Sequence, residues 1–208
     1  MIAEPDVTLT DWALAVEAVM LAVLGDRASV PRVWVVFFGS IAVAAFLGGI
    51  MHGFFGEGRG MAATVLWRMT LLTLGVTSVA AVAAGAWALR PAGDARALRR
   101  SAVVAFVVYA GVVLFLSDAF AVAVVAYLPA TVFLLAVFVA VQRRTLSRAP
   151  LAGAVGIGVL WLGSWVQWRG LALSAVGLSP NALYHVIEMI ALPLIYGGAR
   201  GLGGPRRG

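Results

Sequence analysis

The 208-residue chain is 62% hydrophobic, with a mean hydropathy of +1.01 and only 12% charged residues, which is far too apolar for an ordinary soluble domain. It has no cysteine and all 15 of its basic residues are arginine, which excludes disulfides, thiolate metal sites, cysteine nucleophiles and any lysine Schiff base. The net charge of +6 comes from arginines whose placement fits membrane orientation better than nucleic-acid binding.

With about 20 apolar residues per crossing as the yardstick, the sequence predicts an all-α, polytopic bundle of seven transmembrane helices. The N-terminal "MIAEPDVTLTD" is acidic and lacks a basic n-region, so it reads as retained rather than as a cleaved signal. The first three spans run roughly 11–25, 33–55 and 62–89. The apolar run 101–142 is too long for one crossing, and "SDAF" at 117–120 is its only polar break. Spans at 101–117 and 119–142 follow, around a tight turn with Asp118 as a solvated turn or cap residue. The sixth span is 151–169. The seventh, 180–199, starts at Ser179-Pro180, an N-cap followed by proline at the first helical position. Pro129 and Pro193 fall inside helices, where each frees a carbonyl and bends the axis. Residues 1–200 form a single transmembrane domain, and 201–208 a flexible basic tail.

Arginine placement gives the orientation. Arg27 and Arg32, then Arg90, Arg96, Arg99 and Arg100, then Arg143, Arg144 and Arg148, then Arg200, Arg206 and Arg207 all fall on one side. The other side has only Arg59 and Arg169, together with Glu4, Asp6, Glu57 and Asp118. The positive-inside rule then puts the N-terminus outside and the C-terminus in the cytoplasm, with the chain in the inner (cytoplasmic) membrane. Trp12, Trp67, Trp165 and Trp168 form an outer aromatic belt, and Trp34 and Trp87 an inner one.

Depth can now be assigned to the polar residues. Asn181, His185 and Glu188 occupy i, i+4 and i+7 of the seventh span and share one helix face. Glu17 and Arg68 lie about 9 Å inside their spans, and His52 is within about one turn of the outer surface. Gln167 and Tyr127 lie in the same half of the bilayer. A charge at the bilayer centre costs at least ~2.5 kcal/mol, so these groups are expected to face one another. The reading is an outward-opening polar pocket between spans one, two, three and seven, with Arg68 paired to Glu17 or Glu188.

Two short patterns, "NALYH" in the seventh span and "GGIMH" at the end of the second, resemble the CREST superfamily. That group contains the alkaline ceramidases and the progestin and adipoQ receptors. The resemblance implies seven core spans and a zinc site from one His in span two and two in span seven. His52 and His185 match it; Asn181 stands in place of the other His, and Gly48 where the family has Ser. Carried over, it implies zinc on His52, His185 and Glu188, with Glu17 or Glu188 as general base. Asn181 would polarise the carbonyl of a lipid amide or ester. The missing His and Ser favour a different use of the same pocket, the binding of a membrane lipid or small polar ligand, with Arg68 and Gln167 as ligand-binding or ion-pairing groups. A metal-dependent lipid hydrolase is the alternative. A haem protein with His52 and His185 as axial ligands and an ion-coupled transporter are further ones.

Overall fold

A computed structural model describes residues 2–28, 30–56, 60–89 and 92–202, without the side chains of 92–94. The helices are α1 (Pro5–Arg27), α2 (Arg32–Ile50), α3 (Met61–Leu89), α4 (Ala92–Phe115), α5 (Phe120–Thr145), α6 (Arg148–Trp168) and α7 (Pro180–Leu202). A π turn, Met51–Phe55, prolongs α2, and a short 3-10 turn, Ser174–Val176, precedes α7. Among the described residues seven helices are long and apolar enough to cross a membrane, so the chain is read as a multi-pass membrane protein. The basic tail expected at 201–208 lies, from 203 on, outside the described residues.

Local chemistry sets the boundaries. α1 begins at Pro5 rather than near Asp11, because proline suits the first helical position and Asp6 favours the first turn. The predicted turn at 117–120 is observed, with Ser117 Oγ accepting from Ala119 N at 3.4 Å. Leu146 stops α5 in a left-handed conformation (φ 53°), and Ser147 then caps α6 by accepting from Ala149 N. Pro129 and Pro193 lie inside α5 and α7 as read from the sequence.

Packing arranges six helices as a closed ring in the order α1, α2, α3, α5, α6, α7, with α7 returning to α1. α4 stands outside, resting on α3 and barely touching α5. Tyr109 of α4 anchors it through its hydroxyl, which donates to the Leu71 carbonyl at 2.7 Å. Since α4 is skipped, α3 and α5 are parallel neighbours: Trp67 meets Phe120, and Gly85 meets Phe133 and Val137.

Close approach of backbones holds the ring, as expected where lipid supplies no hydrophobic drive between helices. The α6–α7 seam is the tightest. A Cβ at Gly198 would stand 2.5 Å from the Gly153 Cα, and one at Gly156 would stand 2.9 Å from the Ala191 carbonyl oxygen. Trp34 departs from its expected place in an aromatic belt. It is fully buried and stacks near Phe38 and Phe138, with Phe37 edge-on. These rings and Tyr196 plug the end of the ring at which α2 begins and α7 finishes. Aromatic area is worth more buried than at an interface when a neighbouring helix offers a complementary face.

Candidate functional site

Above the aromatic plug the ring encloses a cavity of about 320 Å³, within the usual range for small-ligand sites of about 300–1,000 Å³. All six ring helices line it and α4 does not. Its polar side chains gather toward the end at which α1, α3, α5 and α7 begin: Asp11, His52, Gln167, Asn181, His185 and Glu188. Toward the plug the wall is largely apolar, with Leu14, Phe37, Ile41, Leu160 and Leu192, and Thr77 and Ser78 contribute hydroxyls.

His185 is the best-connected of these groups and is 8% exposed. Its Nδ1 lies 3.2 Å from Thr10 Oγ1. The Thr10 hydroxyl already donates to the carbonyls of Asp6 at 2.9 Å and Val7 at 3.0 Å. A hydroxyl has one proton to give, so Thr10 accepts from Nδ1–H, and the neutral ring keeps its lone pair on Nε2. Nε2 faces Asp11 Oδ1 at 3.4 Å. Asp11 is 4% exposed, and its Oδ2 is buried with no hydrogen-bond partner among the described residues.

Glycine makes room for that carboxyl. A Cβ at Gly48 would stand 3.1 Å from Asp11 Oδ2 and 3.3 Å from Oδ1. The serine that the CREST pattern places at this position would crowd it. The start of α7 is fastened to α1 as well: Ser179 N donates to Asp6 Oδ2 at 2.9 Å, and Ser179 Oγ caps the helix through Ala182 N at 3.3 Å. The expected Ser179-Pro180 start is therefore also the joint that sets His185 against Asp11.

The remaining groups surround this pair. His52 sits on the π turn, a local widening of the helix often found at functional sites, and its Nδ1 pairs with Glu4 Oε2 at 3.1 Å. Gln167 Nε2 donates to Asn181 Oδ1, joining α6 to α7. Glu188 interacts with the Tyr184 hydroxyl one turn before it and with the charge of Glu17.

The expected site is therefore brought together in part. His52, Gln167, Asn181, His185 and Glu188 share the cavity, while Glu17 stands behind its wall with Oε2 buried and unpartnered among the described residues. Arg68 does not line the cavity, and the pairing with Glu17 or Glu188 is replaced by another. Its Nε donates to Asp118 Oδ2 at 3.3 Å, and Trp67 Nε1 donates to the Asp118 carbonyl at 2.7 Å. Asp118 thus lies in the expected turn with its side chain 41% exposed, and also cross-links to α3. The cause is the displaced α4, which brings the start of α5 against α3. Thr10, Asp11 and Glu4 join the site without having been singled out from the sequence.

Zinc catalysis needs three protein ligands at about 2.0–2.1 Å. Among the described residues no group of three or more His, Asp or Glu side chains is placed to hold a metal ion, and Nε2 of His185 already faces Asp11. The side chains as they stand do not make the zinc centre that the resemblance implies. What the arrangement offers is a set of acceptors. Among the described residues, two carboxyls and two imidazoles line the cavity, and no arginine does.

Comparison with known proteins gives a family. The chain belongs to DUF6962, a family of unknown function, which matches residues 7–203. No curated protein and no solved structure matches it.

Proposed function

We propose that this DUF6962 member is a lipid-binding protein of the inner (cytoplasmic) membrane, whose central cavity opens outward and takes one amphipathic molecule. The N-terminus lies outside and the C-terminus in the cytoplasm, a reading supported by the arginines at the plugged end of the ring, among them Arg27, Arg32, Arg143, Arg144 and Arg148. The apolar chain of the ligand lies against Leu14, Ile41 and Leu192, and its head reaches Asp11 and His185. One observation carries this reading: a buried carboxyl oxygen, Asp11 Oδ2, without a hydrogen-bond partner among the described residues, on a cavity that has a polar end and a largely apolar one. A buried acceptor without a donor costs about 1–3 kcal/mol, which a ligand hydroxyl, amine or amide N–H recovers.

The chemistry of the wall selects the head. Asp11 and Glu188 offer buried oxygens to a hydrogen-bond donor, and no cationic side chain among the described lining residues stands ready to pair a phosphate or carboxylate. The resemblance to the CREST superfamily agrees with this reading in architecture and in a lipid-like ligand. The hydrolase chemistry of that group needs three metal ligands brought together, and no group of three His, Asp or Glu side chains among the described residues is placed to hold a metal ion.

Purification in mild detergent followed by solvent extraction and mass spectrometry tests the reading. The wild type is expected to retain a monoacylglycerol or long-chain amine added during purification, and to lose it on Asp11→Leu. A fatty acid of the same chain length should not compete. Equal retention of acid and amine, or no retention of any amphiphile, refutes it.

A further inference from the structure

The segment between α6 and α7 has the wrong chemistry for a loop in water. Residues 170–179, "GLALSAVGLS", carry no charge, and their only polar side chains are Ser174 and Ser179. Ser179 is already used in capping α7. Leu171, Leu173 and Val176 are 45%, 47% and 65% exposed, so they pack on little of the protein. Residues 170–179 do not line the central cavity, which separates the segment from the polar groups there. A cluster of exposed large apolar side chains on a short segment marks a contact surface.

The backbone of this segment is nonetheless folded on itself. Gly170 takes the left-handed conformation (φ 65°) that ends a helix. Its N–H donates to the Gln167 carbonyl at 2.9 Å, and that of Leu171 to the Val166 carbonyl at 3.1 Å. Leu173 and Leu178 then exchange N–H···O bonds of 3.0 and 3.2 Å, which pinch the chain into a small closed loop. Within it the turn Ser174–Val176 ends at Gly177, whose N–H donates to the Ser174 carbonyl at 3.2 Å. A loop in water can leave such groups to the solvent. Apolar surroundings require that they be satisfied internally, and here most of the N–H groups are.

We propose that loop 170–179 is a membrane anchor, with Leu171, Leu173 and Val176 inserted into the leaflet at the end of the bundle where α7 begins. Continuity decides the occupant. The last two turns of α6 expose Leu162, Trp165 and Trp168, a stripe that faces lipid in a chain of seven apolar spans. The apolar side chains of the loop carry that stripe on beyond the helix end. Trp168 and the exposed Arg169 stand at the junction, and tryptophan and arginine at the end of a span mark the headgroup level. The inference is independent of what the central cavity binds. It has a consequence for that cavity all the same: the loop joins Gln167 to Asn181, which both line it, so the anchor sets the polar end of the ring at the depth of the headgroups.

The chain has no cysteine, so single spin labels test the anchor on the whole chain in phosphatidylcholine–phosphatidylglycerol vesicles. Leu173→Cys and Val176→Cys carry the label in the loop. Leu162→Cys supplies the lipid-facing standard, and Ser147→Cys, exposed between α5 and α6, the water-facing one. Power saturation reads how often each label collides with oxygen, which concentrates in the bilayer, and with a water-soluble nickel chelate. Both loop labels are expected to favour oxygen severalfold over the chelate, as the Leu162 label does. Chelate-dominated collisions at either loop position, matching the Ser147 label, overturn the anchor. Shielding of the loop labels from both reagents also overturns it, and spin–spin broadening between labelled copies would then assign the loop to a second copy of the chain.

Discussion

The contact between Asp11 and His185 is the feature on which the central cavity depends, and a double-mutant cycle measures it. The perturbations are Asp11→Asn, His185→Gln and the two together. At 3.4 Å, with side chains 6% and 11% exposed, an ionised pair in an effective dielectric near 20 gains ~5 kcal/mol. Desolvation of two buried charges cancels most of that. A neutral pair sharing one proton nets ~1 kcal/mol. The expected coupling is therefore ~1–3 kcal/mol, the range for residues in direct contact. Reversible unfolding in mixed detergent micelles, followed by circular dichroism, gives each stability. Each single change should destabilise the bundle, and the double change should cost less than their sum. Strict additivity, with coupling below ~0.5 kcal/mol, refutes the pair and leaves the orientation of His185 to Thr10 alone.

Other consequences follow from single positions. Gly198→Ala should destabilise by ~1–3 kcal/mol, since a backbone atom of α6 stands 2.5 Å from the new Cβ and cannot swing aside; Gly158→Ala meets open space and should be neutral or stabilising by up to ~1 kcal/mol in the same unfolding assay. Gly48→Ser should reduce retention of a monoacylglycerol by pushing the Asp11 carboxyl off His185, measurable by mass spectrometry of the extracted ligand. Arg68→Ala and Asp118→Ala should each cost less than ~1 kcal/mol, because the pair is partly exposed, and should leave ligand retention unchanged. Exhaustive chelation should also leave retention unchanged; a loss restored by zinc would return the site to the metal-dependent reading.

Much of the bundle was legible because hydropathy and proline placement are local signals. Ser179-Pro180 marked the start of α7 and the polar break at Asp118 divided α4 from α5, and both boundaries stand. The start of α1 carried the same kind of signal, Pro5 followed by an acid. Without it Asp11 reads as an interfacial residue; with it, Asp11 lies almost two turns inside the helix and belongs to the cavity. The partner of Arg68 was not legible. It depends on which helices are neighbours, and nothing local says that α4 stands outside the ring. Trp34 was misplaced for a related reason, since interfacial and core tryptophans have the same hydropathy and differ only in what packs against them. Gly48 is legible only in hindsight, as the absence of a side chain that Asp11 requires.

The skipped helix has one more consequence. With α4 outside, the ring contains two parallel seams, α3 with α5 and α1 with α7, where Thr10 and Asp11 meet His185. Four of its six helices, α1, α3, α5 and α7, therefore begin at the same end of the bundle, and it is the end where the carboxyls collect. Each helix start presents unsatisfied amide N–H groups and the positive pole of a peptide dipole, equivalent to about half an elementary charge. Asp6 already uses one such amide, that of Ser179. Four aligned poles supply the positive potential that arginine or lysine provides elsewhere. This architecture can hold buried acids at one end of the cavity with no arginine among the described lining residues beside them.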